Sequence, residues 1–214
     1  MILDMDGVLV DSEPVILAAA IRGLRDFGVI ARPEDFIPFI GAGEIKFIGG
    51  VAEKYGVAYQ PVMKDRVYEI YLQIVEQTLG LYPGTPERLR QLTDAGLQLA
   101  LASSADRIKV DANLRVAGIP ADWFAVLLSA EDVQRKKPHP EIYTTAAARL
   151  SLPPEQCIVV EDALNGIRAA KAAGMRCYAL TTTFTPAELK KEGPDFIAAD
   201  LGEVCREILN TLRA

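Results

Sequence analysis

Two aspartates near the start of the chain, Asp4 and Asp6, have a spacing that could serve catalysis. They follow a short apolar run, Met1 to Leu3, which is typical of the end of a strand buried on both faces. Ligands of open α/β sheets bind beyond the carboxyl ends of the strands. Gly7 permits the sharp turn that comes next. Because two carboxylates about 4 Å apart repel by roughly 4 kcal/mol at an effective dielectric constant of ~20, the pair predicts a bound cation, a shared proton or outward splaying.

Taken alone, these residues favour a strand that ends in a solvated acidic turn. An EF-hand calcium loop is a poor fit, because its glycine stands at the sixth position and its glutamate at the twelfth. Counted from Asp4, Gly7 is fourth and the twelfth residue is Val15. The chemistry therefore depends on the polar groups that the rest of the chain supplies.

Two further predicted strands are followed by groups that suit a phosphate. Ser103 and Ser104 come after a predicted strand over 97–102 and open the next helix, where hydroxyl and amide groups meet. Lys137 lies in the loop after a predicted strand over 126–128. Each feature alone has an ordinary explanation, a helix cap for the serines and a solvated charge for the lysine.

A third predicted strand, over 157–160, ends at Glu161 and Asp162. If the strands are parallel, these acids meet Asp4 and Asp6 at one edge of the sheet, opposite the lysine and the hydroxyl groups. Clustered carboxylates suit Mg²⁺, a hard cation that shares its coordination with substrate phosphate. The lysine and hydroxyl groups suit the oxygens of a phosphoryl group.

The second part of the chain alternates between helical and extended patterns, which predicts a parallel sheet with right-handed crossovers. The predicted strands are 97–102, 126–128, 157–160 and 176–180, and the predicted helices are 85–94, 105–116, 141–150, 163–173 and about 201–212. The strand at the amino terminus belongs to the same sheet. The fold class is therefore α/β, with a Rossmann-like parallel-sheet core and helices on both faces.

The segment between the first strand and this alternation has a different pattern. Helices are predicted over 12–27, from the glycine-rich loop at 41–44 to Tyr55, and over 61–78, with no strand pattern between them. We therefore predict an inserted all-α cap domain at 13–80. The core domain is then discontinuous and consists of 1–12 and 81–214.

Composition restricts the possible partners. The chain has 214 residues and a formal net charge of −6, without a block of five or more basic residues, so we expect no nucleic-acid partner. We also expect no membrane partner, because no apolar run is long enough to span a bilayer. Cys157, Cys177 and Cys205 stand in apolar surroundings, which predicts buried free thiols and a cytoplasmic location. A monomer is expected, with a dimer left open.

Together the motifs resemble the haloacid dehalogenase superfamily, in the branch with a helical cap between the first and second motifs. The resemblance covers essentially the whole chain and rests on Asp4–Ser12, Ser103, Lys137–Pro140, Glu161–Gly166 and Ala172–Met175. It implies a Mg²⁺-dependent phosphatase that acts on a small phosphorylated metabolite.

The resemblance also implies roles for individual residues. Asp4 would be the nucleophile that forms an aspartyl phosphate, and Asp6 the general acid and base. Ser103, Ser104 and Lys137 would bind the phosphoryl group. The predicted metal site comprises Asp4, Asp6 through its backbone carbonyl, Glu161 and Asp162.

Three other activities and one non-catalytic role are alternatives for proteins of this kind. True dehalogenases lack an acid at the position that Asp6 occupies in this chain, so the presence of Asp6 favours phosphoryl chemistry. A phosphonoacetaldehyde hydrolase would use a cap lysine such as Lys46, but would lack Lys137. A β-phosphoglucomutase remains the main alternative, although Ile16 stands where its cap histidine is expected and Glu44 where an arginine would bind a second phosphate. A catalytically idle binding module also stays open. Glu44 and Lys46 are the predicted specificity residues of the cap.

Overall fold

The computed structural model describes residues 1–41 and 43–213; Ala42, within the predicted loop 41–44, lies outside the described residues. The strands are β1 Ile2–Leu3, β2 Val10–Asp11, β3 Gly80–Leu81, β4 Ala100–Ala102, β5 Val126–Leu128, β6 Ile158–Glu161, β7 Arg176–Leu180 and β8 Phe196–Ala198. The α-helices are α1 Glu13–Arg25, α2 Glu44–Lys54, α3 Pro61–Thr78, α4 Thr85–Asp94, α5 Arg107–Val116, α6 Glu141–Arg149, α7 Leu164–Ala172, α8 Pro186–Lys190 and α9 Leu201–Arg213.

The main sheet has six strands in the order β5-β4-β1-β6-β7-β8. Each neighbouring pair is parallel, and β1 lies in the middle, where Leu3 is in register with Leu101 and Val160. Helices between successive strands provide the crossovers that parallel pairing requires. The structure confirms the predicted α/β class with a parallel sheet.

Alternate residues of the strands explain why both faces of the sheet are covered. Leu3 packs in a cluster with residues of α4, α5 and α9, whereas Ile2 packs in a second cluster with residues of α6, α7 and α8. Successive strand residues point to opposite faces, so a strand that is apolar throughout needs helices on both sides. The three cysteines are buried and free, as predicted.

Helices α1, α2 and α3 form a helical block with its own hydrophobic cluster. The cluster has Ile16, Leu24, Ile48, Val67 and Tyr71 among its members. A Cβ atom on Gly23 of α1 would come within 2.8 Å of the Val67 side chain of α3, so the glycine lets the two helices approach closely. The division into core and cap domains stays a prediction.

Two short strands join the helical block to the sheet. The chain enters the block through β2 and leaves it through β3, and these strands pair in antiparallel fashion, with Val10 opposite Leu81. The sequence did not predict this pair, because each strand is only two residues long. It also missed β8 and α8, which are likewise too short to show a period. Within the described residues, no helix is long and apolar enough to cross a membrane.

Candidate active site

The central strands of the sheet bring the predicted site residues to one edge. Asp4 directly follows β1, and its backbone N–H donates to the Val160 carbonyl of β6 at 3.0 Å. Ser103 follows β4, and Glu161 is the last residue of β6. Lys137 reaches the same place from the loop between β5 and α6. The convergence follows from the parallel strand order, in which β4, β1 and β6 are neighbours.

Lys137 is the buried cation of this edge. Its Nζ atom donates to Asp4 Oδ1 at 3.0 Å, to Glu161 Oε1 at 2.7 Å and to the Ala102 carbonyl at 3.2 Å. Burial acts to lower the pKa of Lys137, but the carboxylates of Asp4 and Glu161 outweigh it and hold that pKa above its ordinary value. A charged lysine is therefore fixed beside the candidate nucleophile.

Glu161 holds that lysine in place. Its Oε1 atom also accepts from the Tyr143 hydroxyl at 2.7 Å, and its Oε2 atom accepts from the backbone N–H groups of Asp162 and Ala163 at 3.0 and 2.9 Å. A Cβ atom on Gly166 would come within 1.7 Å of Glu161 Oε1, so only glycine leaves room for this carboxylate. The network makes Glu161 a rigid, fully hydrogen-bonded member of the site.

Asp4, Glu161 and Asp162 form a group that fits a metal ion. One oxygen atom from each lies within 4.8 Å of the others, and all three residues are buried. The Oδ1 atom of Asp162 is buried and has no hydrogen-bond partner, whereas its Oδ2 atom accepts from the Thr183 hydroxyl. A Cβ atom on Gly7 would lie 1.9 Å from Asp162 Oδ2, so the turn after the aspartates is shaped around this carboxylate. An orphaned carboxylate oxygen among buried acids suits a hard divalent cation.

The raised pKa values of Asp4 and Asp162 also favour a bound cation. Burial raises the pKa of Asp4 to about 7; Lys137 opposes the rise, while Glu161 and Asp6 add to it. Burial, reinforced by Glu161 and Asp4, raises the pKa of Asp162 well above its ordinary value. Carboxylates that are costly to ionise in a buried site become favourable to ionise when a cation binds between them.

The side chain of Asp6 lines the same cavity but is not part of this acidic group. Its Oδ2 atom accepts from Lys109 Nζ at 2.9 Å, and its Oδ1 atom accepts from the Ser12 hydroxyl and from Asn113 Nδ2 at 3.5 Å. The alternative that the paired aspartates splay apart is thus the one observed. The predicted metal role of Asp6 uses its backbone carbonyl, does not depend on these side-chain contacts, and stays a prediction.

The two serines occupy different places. Ser103 is fully buried, and its hydroxyl oxygen accepts from the Ala105 backbone N–H at 3.1 Å, a local serine turn in the loop before α5. Ser104 lines the cavity together with Lys137 and the acids. The structure therefore brings Ser104, and not the Ser103 side chain, to the cavity wall.

The helical block closes the cavity from the opposite side. Glu44, at the start of α2, is buried and lines the cavity, and so does Ile16 of α1. Burial raises the pKa of Glu44 to about 7, with Lys109 opposing and Asp6 adding to the rise. Lys46 is exposed and does not line the cavity, so the structure does not bring this predicted specificity residue to the site.

Comparison with known proteins identifies the family. Residues 1–174 match the model of the haloacid dehalogenase-like hydrolases, a span that contains every acid and lysine described above. The chain belongs to that family.

Named relatives of this hydrolase include phosphatases. It is 31% identical to hexitol phosphatase B of Escherichia coli, with 94% of this chain and 89% of the relative covered. It is 38% identical to protein CbbY of Rhodobacter capsulatus, with 94% and 90% covered. A third relative, the chloroplastic protein SUPPRESSOR OF QUENCHING 1 of Arabidopsis thaliana, is 44% identical, but the chain spans only 20% of its length. The hydrolase is accordingly a phosphatase of this family.

Solved structures agree with the fold. CbbY from Rhodobacter sphaeroides in complex with phosphate superimposes with a TM-score of 0.84 at 28% identity, covering 95% of this chain and 94% of the other. A β-phosphoglucomutase of Thermotoga maritima, described as putative, gives 0.77 at 27% identity, covering 98% and 97%. The fold alone therefore does not separate phosphatase from mutase.

Four polar residues of this hydrolase's site were not predicted from the sequence. Lys109, Asn113 and Tyr143 contact the acids from within predicted helices, and Thr183 contacts Asp162 from three residues past the predicted strand over 176–180. Lys109 and Asn113 lie four residues apart in α5, which puts them on one helix face. That spacing was the available signal, but it gains meaning only once α5 is known to face Asp6.

Proposed function

We propose that this phosphatase hydrolyses a small phosphomonoester through an aspartyl phosphate on Asp4, with Mg²⁺ as its cofactor. The observation that carries the proposal is the buried Lys137 held between Asp4 and Glu161, beside the orphaned oxygen of Asp162. It supports the proposal because a carboxylate that could act as nucleophile, a cation that could bind phosphate and a carboxylate that could bind a metal lie together at one edge of a cavity.

Asp4, Asp162 and the backbone carbonyl of Asp6 would hold the metal, with Glu161 completing the acidic group. Bound Mg²⁺ would neutralise charge between the anionic nucleophile and the anionic phosphate. Lys137 binds a phosphoryl oxygen and keeps Asp4 oriented, and Ser104 adds a hydroxyl from the cavity wall. These contacts act on charge that develops as the phosphoryl group transfers.

Proton transfer falls to Asp6. In the first step an Asp4 oxygen bonds to phosphorus while the ester P–O bond breaks, and Asp6 gives its proton to the leaving oxygen. In the second step water bonds to phosphorus, Asp6 takes a proton from that water, and the P–O bond to Asp4 breaks. Asp6 is therefore protonated again at the end of the cycle, and phosphate and an alcohol are released.

The lining of the cavity restricts the substrate. Among the described lining residues the cations are Lys109 and Lys137, and both already contact carboxylates. Glu13 and Glu44 add carboxyl groups, and no cation, on the side of the helical block, next to apolar Ile16. We propose a substrate with one phosphate and an uncharged remainder, such as a hexitol phosphate, because a second anionic group would meet carboxylates there.

We also propose that residues 13–80 act as a cap that opens and closes over the core. Both chain crossings lie in the paired strands β2 and β3, where a small change in backbone angles could move the whole block.

Phosphate release from a substrate panel tests the function. We expect Mg²⁺-dependent hydrolysis that chelation abolishes, turnover of a hexitol phosphate well above that of phosphoglycolate, and no turnover by Asp4→Asn. Asp122→Asn, an exposed aspartate outside the cavity, is the matched control. Full activity in metal-free buffer, or retained turnover by Asp4→Asn above about 1% of the native rate, would overturn the mechanism.

The same panel separates the mutase alternative. With β-glucose 1-phosphate and a bisphosphate primer we expect free phosphate and little glucose 6-phosphate. Isomerisation faster than phosphate release would favour the mutase.

A further inference from the structure

Lys109 is a buried charge that the reaction steps above leave without a role. It belongs to α5 of the core and is only 4% exposed. Its Nζ atom lies 2.9 Å from Asp6 Oδ2 and 3.5 Å from Glu44 Oε1. One ammonium group therefore joins a core helix, the proposed acid and base, and the first residue of α2 in the helical block.

Asn113, one turn further along α5, makes a second connection of the same kind. It is fully buried, its Nδ2 atom donates to Asp6 Oδ1 at 3.5 Å, and its Oδ1 atom accepts from the Tyr71 hydroxyl at 2.5 Å. Tyr71 belongs to α3 of the helical block. Lys109 and Asn113 therefore both contact Asp6, and each also contacts the helical block, Lys109 at α2 and Asn113 at α3.

These contacts determine where the Asp6 carboxyl group points. Lys109 holds one of its oxygen atoms, while Asn113 and Ser12 hold the other. A group that delivers a proton to one oxygen and later removes one from water must be oriented in both steps. A role in folding stability alone would not explain Lys109, because apolar residues of similar volume often stabilise a fold as well as a buried ion pair does.

We propose that Lys109 is a positioning residue for Asp6, and that Glu44 and Tyr71 make this positioning depend on how α2 and α3 are seated against the core. The inference rests on the proposed function, because it needs Asp6 as the acid and base. It predicts that loss of the contact slows the proton-transfer steps while binding of the phosphoryl group at Asp4 and Lys137 persists.

Two substrates distinguish these steps. An aryl phosphate has a leaving group that departs without a proton, so its aspartyl phosphate forms without help from Asp6, whereas an alkyl phosphate needs that proton. Breakdown of the intermediate needs Asp6 as base with either substrate. With the aryl phosphate, Lys109→Met should therefore show a rapid burst of the phenolate product, followed by steady turnover about tenfold or more slower than that of the native enzyme. With the alkyl phosphate, the first step should slow as well.

The control is Lys64→Met. Lys64 of α3 pairs with Asp106 of the core, so this variant also removes an ion pair between the helical block and the core, but away from Asp6. We expect it to change the burst and the steady rate together, by less than about threefold. Glu44→Gln and Tyr71→Phe should show the same step-selective defect as Lys109→Met, in milder form, while leaving the lysine in place.

The outcomes separate the inference from the function on which it rests. If the native enzyme hydrolyses neither substrate, the proposed function fails and the inference falls with it. If the native enzyme is active and Asp4→Asn is not, but Lys109→Met behaves like Lys64→Met, the inference alone is overturned. Circular dichroism checks that each variant folds. If Lys109→Met does not fold, the kinetics of Glu44→Gln and Tyr71→Phe test the inference instead. The step-selective defect in these variants would support it, and unchanged kinetics in both would overturn it.

Discussion

Binding of Mg²⁺ should stabilise this enzyme more at pH 8 than at pH 6. The reason is Asp4, whose pKa is raised by burial from its ordinary 3.8 to about 7 when no metal is bound. A raised carboxyl pKa means that ionisation opposes folding: the cost is fully present above pH 7 and disappears as the pH falls toward 3.8. Below pH 7, the metal must also displace the Asp4 proton before the carboxylate can coordinate it.

The size of the effect follows from that pKa. Three pKa units correspond to about 4 kcal/mol of opposed folding free energy above pH 7. Between pH 8 and pH 6 the metal-free protein should recover roughly 1.4 kcal/mol of this through protonation of Asp4. For a protein of this size, that is an increase in Tm of about 3–6 °C.

Thermal unfolding at both pH values, with chelator and then with Mg²⁺, measures the effect. Asp4→Asn is the control, because its amide does not titrate. In the presence of chelator, the Tm of this variant should lack the increase of about 3–6 °C that the native enzyme shows between pH 8 and pH 6. Mg²⁺ should stabilise the variant only weakly. The reasoning is refuted if the variant shows the same pH dependence as the native enzyme, or if Mg²⁺ raises the native Tm equally at both pH values.

Three further predictions concern groups around the site. Gly166→Ala should lower the turnover number at least ~10²-fold with little change in circular dichroism, because the new Cβ would displace the Glu161 carboxylate; an unchanged rate would contradict the contact. Tyr143→Phe should lower the free energy of unfolding in urea by about 1–2 kcal/mol, because one buried hydrogen bond to that carboxylate is lost; no change would show that the bond is not formed. Asp35 accepts from Lys54 and Tyr55 in the helical block, and these hydrogen bonds hold its pKa below the usual range. Asp35→Asn should therefore lower the Tm at pH 7 and should lose that deficit only in strong acid, as the native carboxylate protonates; a deficit independent of pH would contradict the assignment.

The sequence predicted the sheet and its acidic edge because both depend on local patterns. Apolar strands that end in Asp4, Ser103 and Glu161 must converge when they are parallel neighbours, whatever the side chains do afterwards. The short strands at the periphery were missed for the opposite reason. Val10–Asp11, Gly80–Leu81 and Phe196–Ala198 are defined by their partners rather than by any period of their own.

Side-chain direction was the part that local patterns could not supply. The spacing of Asp4 and Asp6 left a bound cation, a shared proton and outward splaying open, and it is contacts with Lys109 and Ser12 that hold the Asp6 carboxylate apart from Asp4. Those contacts depend on how α5 packs against the helical block, which is a tertiary property. The sequence puts Glu44 where a mutase would have an arginine, whereas its proximity to Lys109 is visible only in the structure.

The covalent intermediate on Asp4 is the central claim and can be measured directly. Asp6→Asn should slow breakdown of the intermediate much more than its formation from an aryl phosphate. Acid quenching of this variant during turnover, followed by mass spectrometry of peptides, should find one phosphoryl group on the peptide that contains Asp4. The Asp4→Asn variant should carry none. Phosphate on a different peptide, or turnover of an aryl phosphate with no labelled peptide in the Asp6→Asn variant, would contradict the account.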